Sequence, residues 1–267
     1  MTGREITIDL AHQRLTGLRW GPSEGRAVIA IHGWLDNAAS FSRLAPMLDG
    51  LQVVALDLTG HGRSQHRPAA GNHHFVDWVP EVAAAADALG WERFSLLGHS
   101  MGAGISTLVS AAYPERVARA ALLEGAGPMA APAEEAAEQL RLALADERRA
   151  AESSARVFPD FESAVGARAR DTDLDHDSAR LLVERGTEAA DGGVRFTHDM
   201  RLKTRSRVRF TEDQVHALLA AIECPVLALR ALQGWPFPED IVRRRLEFIT
   251  NLEAVEVDGG HHVHLTH

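Results

Sequence analysis

Phe94-Ser95-Leu96-Leu97-Gly98-His99-Ser100-Met101-Gly102 is the stretch on which the rest of the chain turns. Residues 94–97 have the composition of a buried strand. They run into Gly-x-Ser-x-Gly, and residues 103–112 then read as a helix. A serine between a strand and a helix must occupy a strained backbone position if its hydroxyl is to point into open space. Glycines on either side remove the Cβ atoms that would collide in so sharp a turn. The following helix aims its first N–H groups where negative charge would develop on an attacked group. Ser100 is therefore a candidate nucleophile. The plainer reading, a loop serine between two turn glycines, leaves the strand and helix around it unexplained.

Outward from this segment, short apolar runs alternate with longer helical patterns, which predicts a βα chain and a mostly parallel sheet. Strands are expected near 5–9, 15–20, 27–31, 52–56, 94–97, 117–123, 225–230 and 252–257. The first two are candidates for an antiparallel pair at the sheet edge. The rhythm breaks between Pro128 and Ile222, a stretch rich in Ala, Glu, Arg and Asp with no convincing buried strand. Residues 133–151 read as one long helix. Thr211 and Gln214 form a capping box ahead of Val215, Leu218 and Leu219. The expected organisation is a core over 1–127, a helical cap insertion over 128–222 and a second core portion over 223–267. The cap is expected to lie over the carboxyl edge of the sheet, above Ser100.

The chain resembles the α/β-hydrolase superfamily over nearly its whole length. Besides the Gly-x-Ser-x-Gly turn, three segments match in order. Ile31-His32-Gly33-Trp34 resembles the His-Gly oxyanion loop. Asp57-Leu58-Thr59-Gly60-His61-Gly62-Arg63-Ser64 is similar to the Asp-x-x-Gly-x-Gly-x-Ser turn. Val257-Asp258-Gly259-Gly260-His261-His262-Val263-His264 stands where the family carries its catalytic His. The wording around Gly33-Trp34-Leu35-Asp36-Asn37 and the closing histidines resembles the serine-hydrolase-like branch. The resemblance implies an α/β-hydrolase fold with a mostly parallel central sheet of about eight strands and an inserted helical cap. It implies Ser100 as nucleophile, His261 as general base, and the backbone N–H groups of Trp34 and Met101 as the oxyanion hole. His262 is the alternative to His261, one residue along, and His264 takes the second polar place of the motif. His32 is expected to buttress its loop, and Asp57 and Arg63 to tie a turn together.

The third triad member departs from the common pattern. Many members place Asp after the seventh strand, where this chain reads Ala231-Leu232-Gln233-Gly234-Trp235-Pro236, with no acid before Glu239 and Asp240. Part of the family uses the end of the sixth strand instead, and here Leu122-Leu123-Glu124-Gly125 stands there. A carboxylate ending an apolar strand is poorly explained by packing, and strand ends at the carboxyl edge line such active sites. Glu124 is accordingly the candidate acid. A solvated turn glutamate is the alternative.

The 267 residues carry a formal net charge of −9, spread along the chain. That argues against nucleic acid or an anionic membrane surface as the main partner. There is no run of about 20 apolar residues and no apolar leader, which leads to the expectation of a cytoplasmic protein. The single cysteine, Cys224, permits no internal disulfide and reads as a small apolar residue. His261, His262, His264 and His267 do not match a standard metal-ligand spacing. The expected chemistry is thus free of metal and cofactor. A covalent acyl-enzyme on a small or medium carboxylic ester, or a related acyl compound, is expected, with Trp34, Trp235 and Phe237 forming the substrate wall. Met101 is a further candidate for it. Cleavage of a carbon–carbon bond, a lyase reaction, and a non-catalytic binding or scaffolding role are the alternatives. Family members usually continue past the catalytic His into a closing helix, whereas this sequence ends six residues after His261, so a longer natural chain is one expectation. Oligomeric state is not encoded legibly.

Overall fold

The computed structural model describes residues 3–69, 71–172 and 174–266. His267, the last of the closing histidines, lies outside them. The chain opens with β1 (Arg4–Asp9) and β2 (Arg14–Trp20), followed by β3 (Arg26–Ile31) and β4 (Leu51–Asp57). Helix α1 (Trp78–Ala88), β5 (Phe94–His99), α2 (Met101–Ala112) and β6 (Val117–Leu123) complete the first part. An insertion then carries α3 (Ala136–Glu152), β7 (Val157–Phe158), α4 (Phe161–Arg170), α5 (His176–Gly186), β8 (Thr187–Ala190), β9 (Gly193–Phe196) and α6 (Glu212–Ala220). The last part holds β10 (Val226–Gln233), α7 (Glu239–Leu246), β11 (Leu252–Gly260) and the short α8 (Val263–Thr266).

One eight-stranded sheet runs in the order β1-β2-β4-β3-β5-β6-β10-β11. β1 pairs antiparallel with β2, and β2 with β4; every later pairing is parallel. The central strands are mostly apolar because helices or loops cover both of their faces. Their side chains divide with period two. Ile29, Ile31, Val54, Leu56 and Leu96 join one buried cluster with Trp78, Val82, Ile105 and Val109. Val28, Ala30, Val53, Ala55 and Leu97 join a second with Phe41, Val165, Leu182 and Leu265.

The insertion is built mainly of helices, and it also holds short strands that the sequence reading did not expect. β7, β9 and β8 form a separate three-stranded antiparallel sheet. These strands have two to four residues and, apart from Phe158, are half-buried or exposed, so they carry no apolar run to betray them. The available signal was Asp191-Gly192, a two-residue turn between β8 and β9 with Gly192 at φ +82°. Helix α6, with the expected capping box at Thr211 and Gln214, packs on α2. Its Val215 and Leu219 belong to the same buried cluster as Ile105 and Val109. It is therefore part of the core layer, although it falls inside the stretch 128–222. Among the described residues, no helix is long and apolar enough to cross a membrane.

Candidate active site

Three non-glycine residues of the described chain adopt positive φ: Leu35 (59°), Ser100 (52°) and Glu124 (55°). They follow the carboxyl ends of β3, β5 and β6, three adjacent strands of the sheet. Such backbone strain persists only where the surroundings enforce it. At Ser100 the enforcement is visible. A Cβ on Gly98 would lie 2.4 Å from the Gly102 carbonyl oxygen, and one on Gly102 would lie 1.9 Å from the Ile31 oxygen. Only glycines allow α2 to begin so close to β3 and β5. The Ser100 N–H donates to the Leu123 carbonyl at 2.8 Å, which sets the elbow against the end of β6.

Ser100 Oγ lies 3.0 Å from Nε2 of His261, and His261 Nδ1 lies 3.1 Å from Oε2 of Glu124. The carboxylate accepts at Nδ1, so Nδ1 carries the ring hydrogen and Nε2 is left to accept the serine hydroxyl. Glu124 is buried, at 6% exposure. Its Oε1 accepts the Ala231 N–H at 2.5 Å and its Oε2 the Trp235 N–H at 3.2 Å. The loop after β10 thus supplies a cradle for a carboxylate that arrives from β6. Gly234 makes the cradle possible, since a Cβ there would meet Oε2 at 2.0 Å. Sequence reading had no means of finding Gly234, because what it accommodates stands 110 positions earlier.

The other candidate acids stand elsewhere. Glu239 pairs with Arg230 at 3.2 Å, and Asp240 lies on α7. Gln233, at the usual acid position, accepts the Gly259 N–H at 2.9 Å and ties the β10 loop to the strand that leads to His261. His262 turns away from the serine toward Asp36, with Nε2 3.3 Å from Oδ2. His264 Nε2 meets Ser40 Oγ at 2.8 Å.

Trp34 follows β3 in the turn closed by the Asp36 N–H on the Gly33 carbonyl, and Met101 opens α2. The Trp34 ring is half exposed, held by Nε1 donating to the Leu202 carbonyl at 2.9 Å. Trp235 is 62% exposed with its ring centre 5.8 Å from that of His261, and Phe237 is 39% exposed two residues further on. His32 donates from Nδ1 to the Gly33 carbonyl at 2.8 Å and accepts the Leu58 N–H on Nε2 at 3.2 Å, buttressing the loop. Burial lowers the His32 pKa and keeps the ring neutral, as the accepting Nε2 requires. Asp57 accepts the backbone N–H groups of Ala38 and Arg63, and both its carboxylate oxygens accept Nε–H of Arg185. Arg63 also reaches Glu5. Cys224 is buried, which pushes its thiol pKa up.

Behind Ser100, His261 and Glu124 lies a polar layer that the sequence did not reveal. His99, between Gly98 and Ser100, is fully buried and donates from Nε2 to the His261 carbonyl at 2.9 Å. Burial, reinforced by the neighbouring His264, His262 and His261, holds its pKa well below the usual imidazole value. Burial works against the Asp36 carboxylate, but His262 and Arg168 outweigh it and keep its pKa well below the usual range.

This sheet, elbow and strand-end constellation define an α/β hydrolase. Residues 26–267 match the family model described as the alpha/beta hydrolase fold, and the chain belongs to that family, in its serine-hydrolase-like branch. It is 34% identical to a serine hydrolase-like protein of Danio rerio, over 98% of this chain and 83% of that one. It is 33% identical to a probable serine hydrolase of Drosophila melanogaster, over 92% of this chain and 78% of the relative. Among solved structures, a hypothetical protein of Pseudomonas aeruginosa PAO1 superposes with a TM-score of 0.95. Its identity is 42%, over 98% of this chain and 93% of the other.

Proposed function

We propose that the protein is an esterase-like serine hydrolase working through a Ser100–His261–Glu124 triad and a covalent acyl-enzyme. The observation that carries this reading is the unbroken hydrogen-bond chain from Ser100 Oγ through the His261 ring to the buried Glu124 carboxylate. Ser100 Oγ attacks the acyl carbon as its proton passes to His261 Nε2. Glu124 stabilises the imidazolium that forms and holds the ring in the required tautomer. The N–H groups of Trp34 and Met101 receive the oxyanion; the second begins α2, whose dipole favours negative charge there. The tetrahedral adduct collapses as His261 returns its proton to the leaving alcohol. Water, deprotonated by the same nitrogen, then attacks the acyl carbon, and the imidazolium returns that proton to Ser100 Oγ as the acyl–Oγ bond breaks and the acid leaves.

The insertion serves as a cap in this reading. It meets the segments that follow the carboxyl ends of β3 and β4 at Trp34, Asn37 and Asp57, on the sheet edge where Ser100 also stands. Trp34, Trp235 and Phe237 supply an apolar wall open to solvent, which suits a small or medium acyl chain and no cofactor. A panel of p-nitrophenyl esters of increasing chain length tests the proposal. Wild type is expected to hydrolyse at least one member and Ser100→Ala to lose about 10⁶ in kcat, as a triad enzyme does without its nucleophile. Hydrolysis persisting in folded Ser100→Ala would refute it.

A further inference from the structure

Beneath the triad, Asp36, His99 and His262 converge from the loop after β3, the end of β5 and the loop after β11. All three are buried, and the hydrolytic scheme above gives none of them a role. We propose that Asp36 Oδ2, His99 Nδ1 and His262 Nε2 form a binding site for a divalent transition-metal ion, zinc being the best match.

His99 Nε2 must carry the ring hydrogen, because the His261 carbonyl it meets can only accept. In the neutral ring Nδ1 is then a bare lone pair. It is buried, has no hydrogen-bond partner, and faces Asp36 Oδ2 at 3.7 Å. Asp36 Oδ1 is occupied by Arg168, while Oδ2 makes no hydrogen bond of ordinary geometry and lies 3.3 Å from His262 Nε2. Two buried acceptors facing each other without a hydrogen between them are costly. A cation placed between them uses both. Two imidazole nitrogens and one carboxylate oxygen are a known set for zinc.

The spacing agrees. Zinc–nitrogen and zinc–oxygen bonds of about 2.1 Å in a tetrahedron put neighbouring ligand atoms about 3.4 Å apart. Two edges of the triangle measure 3.3 and 3.7 Å, and all three atoms lie within 4.8 Å of one another. A fourth ligand has a place as well. A methyl group on Gly33 would lie 3.0 Å from His99 Nδ1 and 3.1 Å from Asp36 Oδ2. The missing side chain therefore leaves space directly over those two atoms, enough for a coordinated water. An ion held there would tie together the loop of Trp34, the strand end that presents Ser100, and the segment that carries His261. It would touch none of the reacting atoms. Arg168 offsets the Asp36 charge, so the affinity should be micromolar and not that of a closed structural site.

Zinc titration of the chelator-treated protein in competition with a chromophoric chelator tests the site. One equivalent of zinc is expected to bind and to raise Tm, and cobalt is expected to give the visible bands of a four-coordinate ion. His262→Gln should weaken zinc binding about 100-fold, at least the cost of losing an outer partner of a metal ligand. His261→Gln should leave it intact. Wild-type protein that takes up no zinc at micromolar concentrations overturns the proposal. So does binding that survives His262→Gln but is lost in His261→Gln, which would place the ion on the triad. If His262→Gln does not fold, cadmium NMR of the wild-type protein with labelled imidazole nitrogens decides. Coupling to one Nδ1 and one Nε2 supports the site, and coupling to neither overturns it.

Discussion

Glu124 reaches His261 only because residue 234 has no side chain. A Cβ there would stand 2.0 Å from the carboxylate oxygen that meets His261 Nδ1. Gly234→Ala should therefore push Glu124 aside without touching substrate. Displacements of about 1 Å in a catalytic site can cost about 100-fold in rate. Steady-state kinetics should show that loss in kcat with KM little changed, and an unaltered kcat would show that the cradle is not needed. Glu124→Gln should cut kcat by about 10⁴, the effect of turning a triad acid into an amide. Ser100 and His261 were legible from motifs that stay within a few residues, and Glu124 from its place at the end of an apolar strand. Gly234, His99 and Asp36 were not, because each has its reason in a partner more than 60 positions away or on another loop.

Between elements, buried charge joins the insertion to the core. Arg185 of α5 donates from Nε to both carboxylate oxygens of Asp57 at the end of β4, at 2.9 and 3.0 Å, and both side chains are shielded from solvent. Removing one partner leaves the other charge buried and uncompensated, which typically costs 3–5 kcal/mol. Arg185→Met should lower stability by about that amount in urea unfolding. A change below about 1 kcal/mol would mean that the pair merely breaks even with an apolar side chain. The central strands of the main sheet were readable because they bury runs of apolar or β-branched residues, and the edge strands β1 and β11 because apolar and polar residues alternate along them. β7, β8 and β9 were not, since strands of two to four residues are too short to show an alternating pattern, and the Phe158–Phe196 contact that joins them spans 38 positions. The place of α6 in the core layer was equally hidden. Its apolar face fits a cap helix or a core helix, and only its packing on α2 distinguishes them.

For the molecule as a whole, buried neutral histidines set the response to acid. Burial, reinforced by neighbouring histidines, holds His61 and His99 well below the usual imidazole pKa. The unfolded chain takes up their protons below about pH 6.5, whereas the folded protein does not. Their contribution to stability is thus complete above that value and is lost as pH falls toward the folded pKa values. The slope is about 1.4 kcal/mol per pH unit for each ring. Thermal melts should give a clearly lower Tm at about pH 5.5 than at about pH 7.5, and equal values would show that these rings protonate in the folded state. The same packing that keeps His99 neutral holds it against the His261 backbone, so fold stability and the seating of the His261 ring share one layer. The central claim is that this layer, the elbow and the Glu124 cradle together make Ser100 a nucleophile. Its most direct test is to treat the folded protein with a fluorophosphonate and locate the adduct by peptide mass spectrometry. The account predicts one adduct per chain, on Ser100, absent from Ser100→Ala. A folded protein that takes no label, or carries it on another residue, would contradict it.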